Sequence, residues 1–285
     1  MELSLKNIQY LLKLIRVQTT LDNIIKYSEY GSVYHNHIIN NELYFLNKTI
    51  DQNLSRKDFY FNCVNNYHNE INNCFLDIKR KSEIYDFDTI FLEKIQTGNE
   101  YQLKIDDLDK YAKIKLDPCI NASCLFREVF LKYQNANLRL VYASGITNSY
   151  LDKFKTIEFT ALISEVIFTN EVLFNSCIID NKQFMDIFFQ LVYAQNKKNL
   201  TRIEKTEKLI EKNKTKFLVY GPVITKYIYH EGIFSLTDFV DKNDVSYNTA
   251  KKYLKELCEE GILRLIKIGK HNAFVYEELF EIWTN

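Results

Sequence analysis

Glycine and proline are nearly missing from this chain, with seven and two among 285 residues. Turn-rich all-β folds need far more of both, so their scarcity favours long helices. The glycines stand at 31, 98, 145, 221, 232, 261 and 269, no two closer than eight residues. A P-loop, a dinucleotide fingerprint and a nucleophile elbow each require glycines closer together than that, so none of these motifs can be written anywhere in the chain. Net charge is also absent, since 37 Lys and Arg balance 37 Asp and Glu. There is no global pull toward nucleic acid or membrane, and any such binding must come from a local patch. The six cysteines, at 63, 74, 119, 124, 177 and 258, include no CxxC pair and follow no signal peptide, which fits a reducing cytoplasm. Apolar runs fall well short of the roughly 18 to 20 residues of a membrane helix, so no membrane partner is expected.

What the chain does contain is apolar residues at helical spacing, 46% of the whole and enough for a sizeable core. The expected class is mainly α with minor β: a helical N-terminal domain over residues 1–182, a long basic linker helix over 183–216, and a C-terminal domain over 217–285. A helix is expected from Leu3 to Ile25. From Ser28 to Leu54, interleaved aromatic and polar residues with Gly31 and Asn40-Asn41 suggest a hairpin or an irregular crossing between helices. Ser55 caps a helix through Phe61, Val64, His68 and Ile71, and Ile84 to Ile95 gives a shorter one. Residues 101–116 alternate about Asp106-Asp107-Leu108-Asp109 as a β-hairpin would. Ala122 to Leu131 reads as helix, Asn137 to Tyr142 is ambiguous, and Ser144-Gly145 reads as a turn. Phe154 to Phe168 and Gln183 to Ala194, with Phe184, Ile187, Phe188, Leu191 and Val192 at helical spacing, mark the heart of the first domain. From Lys197 to Lys216 eight bases face three acids, and a thin apolar stripe of Leu200, Ile203, Leu209 and Ile210 predicts a helix that is mostly solvated.

The C-terminal segment reads as a winged helix-turn-helix. Ser235 with Asp238 makes a capping box ahead of Leu236, Phe239 and Val240, and Lys242-Asn243-Asp244 breaks that first helix. Ser246 caps a second helix whose Ala250, Leu254 and Leu257 recur at i, i+4 and i+7, and Gly261 ends it. Ile262 to Ile268 and Ala273 to Tyr276 alternate about a Gly269-Lys270-His271-Asn272 turn, forming the wing. In such a motif the second helix enters the major groove. Ser246, Tyr247, Asn248 and Thr249 then lie at its leading end, the last three as base-edge candidates, while Lys251, Lys252 and Lys255 with wing residues Lys267, Lys270 and His271 are phosphate candidates. From Ser246 to His271 six bases face three acids, yet from Phe217 onward eight face ten. The competing reading is a face for protein contact whose lysines are merely solvated.

The residues Phe188-Phe189-Gln190-Leu191-Val192, Leu236, Val245-Ser246, Thr249-Ala250, Leu254, Leu257, Gly261-Ile262-Leu263 and Phe274-Val275-Tyr276 resemble winged helices of the MarR and GntR kind. They are more particularly similar to the C-terminal winged helix that follows the Fic fold in many bacterial Fic proteins. That resemblance implies AMP transfer to protein hydroxyls by a His base followed by an acidic residue and a Gly-Asn-Gly-Arg cradle. The chain departs from it: Gly98-Asn99 is followed by Glu100, and none of the histidines 35, 37, 68, 230 and 271 precedes such a loop. No catalytic residue carries over, and the resemblance implies a diverged or inactive relative.

No cofactor or metal is expected. His35-x-His37 could chelate from a strand face, but Cys63, His68 and Cys74 are spaced for an ordinary helix face, and Leu76-Asp77-Ile78-Lys79 matches a nuclease triplet only in letters. The leading expectation is a DNA-binding regulator or DNA-targeting component whose partner is double-stranded DNA. The alternatives are a diverged Fic-like protein, a restriction or phage-defence nuclease with a winged-helix targeting module, and an interaction module forming a homodimer.

Overall fold

A computed structural model of the chain describes residues 5–49, 51–64, 118–132, 139–154 and 162–284. It is mainly α with one small sheet. The helices are α1 (Leu5–Tyr27), α2 (Gly31–Lys48), α3 (Arg56–Val64), α4 (Pro118–Lys132), α5 (Arg139–Phe154), α6 (Ser164–Thr169), α7 (Glu171–Cys177) and the long α8 (Asn181–Phe217). A 3-10 turn, Leu218–Tyr220, leads into α9 (Gly221–Glu231), followed by β1 (Ile233–Phe234), α10 (Leu236–Asn243), α11 (Tyr247–Glu259), β2 (Arg264–Ile268), β3 (His271–Val275) and α12 (Glu277–Thr284). The expected strand pair at 101–116 lies outside the described residues, as do the short helix at 84–95 and the Asp77–Lys79 triplet.

The chain divides into two compact units, and both are assembled from distant stretches. One takes Met1–Asn23, Phe45–Ile50 and Asn69–Lys197; the other takes Ile24–Tyr44, Asp51–His68 and Lys198–Asn285. The first unit is built on a cluster of rings from α4, α7 and α8. Phe126 lies 5.6 Å from Phe188, 6.1 Å from Phe184 and 6.2 Å from Phe174, with Phe130 a further 5.0 Å from Phe174. Such pairs add to the burial of large apolar area, so this cluster binds α4, α7 and α8 together. The expectation that Phe184 and Phe188 sit at its heart is met, while Ile187 is only half-buried. The expected turn at Ser144-Gly145 is instead the middle of α5. Both residues are buried there, with Ala143 and Ser144 fully so, and α4 packs against α5 with Ala122 and Ser123 likewise fully buried. Gly145 lowers the local helix propensity, and burial against α4 outweighs it.

The second unit holds the other revision. Among the described residues Ser28 to Leu54 contains no hairpin: α2 is a helix whose Val33, Tyr34, His37, Ile38 and Asn41 are buried at helical spacing. Polar residues on the buried stripe, His37 and Asn41, disguised that period. Gly31 is required at its start, because a Cβ there would meet the Ile25 carbonyl oxygen at 1.9 Å. The latter half of α8 is mostly exposed, as expected, with 11 of the 20 positions from Lys197 to Lys216 in water, but its buried stripe is broader than the apolar residues alone indicate. Arg202, Ile203, Thr206, Leu209, Asn213 and Phe217 form a buried stripe on which the C-terminal elements pack. Half of that stripe is polar, which is why apolar periodicity alone understated it. Trp283 Nε1 donates to Thr206 Oγ1 at 3.1 Å, and Asn213 Nδ2 donates to the Tyr276 hydroxyl at 2.7 Å.

His37 completes this core. Its Nε2–H donates to the Tyr229 carbonyl at 2.7 Å, and its ring stacks on Trp283 at 5.0 Å. Its Nδ1 is buried with no hydrogen-bond partner among the described residues. Burial, with a smaller push from His230, holds the imidazole down to about 4 against the favourable Tyr229 bond. The neutral form therefore belongs to the folded state. Because an unfolded histidine takes up its proton near 6.5, stability is fully present above that pH and is lost as pH falls toward 4, by up to about 3 kcal/mol. Urea melts across this window should show that loss, and His37→Gln, which keeps a donor for Tyr229, should flatten it.

Candidate nucleic-acid interface

The face built by α10, α11 and the β2–β3 hairpin is shaped by local signals. Ser235 Oγ accepts from the Asp238 backbone N–H at 3.1 Å, and Asp238 Oδ2 accepts from the Ser235 N–H at 3.1 Å, a reciprocal cap. Asp244 ends α10 in the left-handed region at φ 50. Ser246 Oγ then accepts from the Thr249 N–H at 3.2 Å and opens α11. Ala250, Leu254 and Leu257 are fully buried, as their spacing requires. At the far end Gly261 adopts φ 72, and the Ile262 N–H reaches the Leu257 carbonyl at 2.9 Å.

The sheet runs β1-β3-β2, all antiparallel, with Ile268 opposite His271 and Arg264 opposite Val275. The hairpin turn is thus the two residues Gly269-Lys270, shorter than the four-residue turn expected, and His271 belongs to β3. Gly269 at φ 56 supplies the positive dihedral a two-residue turn demands. Strand β1 had no counterpart in the sequence reading. Two residues between helices are too short a signal to separate from a loop, and only pairing with β3 defines them.

Tyr247, Asn248, Lys251, Lys252 and Lys255 are exposed along α11, and Lys267, Lys270 and His271 are exposed on the hairpin. They are not equivalent. Ser246 and Thr249 are tied to each other, their hydroxyls 2.8 Å apart, so both serve the cap. Lys252 lies 3.9 Å from Glu256 and Lys255 3.5 Å from Glu259, both i,i+4 pairs on the open surface. Such pairs are weak, on the order of 0.3–0.5 kcal/mol, but they lower the positive field of two of the three helix lysines. Lys251 makes no ion pair among the described residues. His271 tilts toward Phe61 at 6.1 Å, so part of its ring is committed to packing.

Two exposed residues of β2, adjacent and so on opposite sides of the sheet, were not among the predicted contacts. Arg264 sits at the start of β2, 3.8 Å from Glu277, and Leu265 beside it is 54% exposed. The alternation of β2 carried the signal for Leu265, since one member of an Arg-Leu-Ile-Lys-Ile run must point outward. Cys258, on α11, has its thiol pushed up chiefly by burial, which keeps it a packing residue. His35 and His37 are two positions apart on a helix, a spacing that sends their side chains to different sides and cannot chelate one ion.

Residues 203–279 match the family model of the protein adenylyltransferase SoFic-like C-terminal domain. This segment is therefore similar to the C-terminal domain of a Fic-type adenylyltransferase. The match opens at Ile203, inside α8, where the buried stripe of that helix begins to hold the C-terminal elements. A comparison of the chain with curated proteins finds no match.

The cap of α11 can be tested on stability. Ser246→Ala should lower the unfolding free energy by about 1 kcal/mol in urea titration, and Ser246→Asp, which can still accept from the Thr249 N–H, should keep most of it.

Proposed function

We propose that the C-terminal unit binds double-stranded DNA as a winged helix, with α11 in the major groove and the β2–β3 hairpin along the backbone. The observation that carries this reading is the exposure of Tyr247, Asn248, Lys251, Lys252 and Lys255 along α11 and of Lys267 and Lys270 on the hairpin, in a domain that is otherwise acidic. Its charge is concentrated where a groove would lie, and its first exposed residues are those that could reach base edges. The chain would serve as a transcriptional regulator or as the DNA-targeting part of a larger system. Because the lysines are few, binding should be salt-sensitive, the affinity falling steeply as counterions compete.

Fluorescence polarisation on random duplexes at low salt checks this. Lys251→Ala should weaken binding several-fold and reduce the salt slope by about one, as expected when one phosphate contact is removed. Glu256→Gln should strengthen binding by freeing Lys252. Absence of binding at low salt, or equal affinity for wild type and Lys251→Ala, would remove the reading.

The family match favours a second one. The chain can be a diverged relative of Fic-type adenylyltransferases that keeps their C-terminal domain without the AMP-transfer machinery, since no Gly-Asn-Gly-Arg stretch occurs in the sequence. Incubation with labelled ATP and a cell lysate should then leave no labelled protein. Label transfer that persists in the purified chain would show that another set of residues performs the chemistry.

A further inference from the structure

In the first two turns of α11 the side chains divide by what already holds them. Ser246 and Thr249 are committed to the cap, with their hydroxyls 2.8 Å apart and the Ser246 oxygen accepting from the Thr249 N–H. Ala250 is fully buried, and Tyr253 lies against Tyr220 at 5.1 Å. Tyr247, Asn248, Lys251 and Lys252 are left in water. The amide of Asn248 makes no hydrogen bond among the described residues. Lys251 and Lys252, three and four positions further on, share its side of the helix, and no acid occurs between Asp244 and Glu256.

These four side chains differ in what they can recognise. A lysine is a flexible point charge with donors only, which suits a phosphate, or the O6 and N7 acceptors of guanine. The phenol of Tyr247 offers a single oxygen. Asn248 alone sets an acceptor beside a donor on one planar amide, and in the major groove adenine is the base that presents the matching pair, the N6 donor beside the N7 acceptor. We propose that Asn248 reads an adenine, so that the duplexes this chain prefers carry an A·T pair where its amide faces the groove. The inference rests on the reading of α11 as the helix that enters the major groove. Lys251 and Lys252 then hold phosphate and set affinity, while sequence preference comes from the amide between them and the cap.

Enriching the full chain's preferred duplexes from a random pool, then measuring polarisation on the winning site, tests it. That site should contain an A·T pair whose replacement by G·C weakens wild-type binding roughly tenfold. Putting 7-deazaadenine in place of its adenine removes the N7 acceptor, keeps the base pair, and should weaken binding several-fold. Asn248→Ala should bind all of these duplexes alike, with the wild-type salt slope, because no phosphate contact is lost. Lys251→Ala should show the opposite pattern, weaker on every duplex with the preference kept. Both positions are exposed, and circular dichroism should give each variant the wild-type helix content. A winning site without an A·T preference, a preference that survives in Asn248→Ala, or one that vanishes in Lys251→Ala overturns the proposal and leaves DNA binding standing. Absence of binding to any duplex at low salt removes the groove-helix reading and this inference with it.

Discussion

The carbonyl of Tyr229 receives the imidazole N–H of His37, and the second unit depends on that bond. His37 comes from α2, Tyr229 from α9, Trp283 stacked on the imidazole from α12, and Thr206, which accepts the indole N–H, from α8. Four helices widely separated in sequence are thereby fastened through polar groups that all lie inside the core. Such groups stabilise only if each finds its partner, since a buried donor left alone costs about 1–3 kcal/mol. Apolar burial pulls the helices together without direction; the hydrogen bonds fix their register.

That frame carries α11 and the hairpin. Neither has a core of its own large enough to stand in water, and their inner residues Leu254, Leu257, Ala273 and Val275 are buried in the same unit as α8 and α12. Local chemistry then sets the details: hydroxyl caps at Ser235 and Ser246, a left-handed aspartate between the helices, and a glycine turn in the hairpin. The exposed side of α11 is left with a small positive surplus that its own glutamates partly screen. The start of the family match at Ile203 agrees with this physical boundary, because the polar and apolar stripe of α8 from Arg202 to Phe217 is part of the C-terminal unit.

The residues that were easiest to read are those whose structure is set within a few positions. The capping box at Ser235 and Asp238, the cap at Ser246, the stripe of Ala250, Leu254 and Leu257, and the glycine end at Gly261 all occupy the places their chemistry requires. Misreadings fell where burial recruits polar or small residues. In α2 the inward stripe includes His37 and Asn41, in α8 it includes Arg202, Thr206 and Asn213, and in α5 it includes Ser144 and Gly145. A search for apolar periodicity passes over such stripes, and a glycine beside a serine reads as a turn although both are buried within a helix.

The sequence by itself determined the mainly helical class, the α10–α11 pair with its caps, the hairpin, and which side chains of α11 point away from its apolar stripe. It could do so because caps, helical period and turn dihedrals act over at most about one or two turns of chain. Only the tertiary structure decided that α2 and the latter half of α8 belong with the C-terminal elements, and that β1 is a strand. It also decided that the imidazole of His37 meets the Tyr229 carbonyl. Those outcomes rest on partners brought together from far along the chain, and no local pattern encodes which buried polar group will meet which.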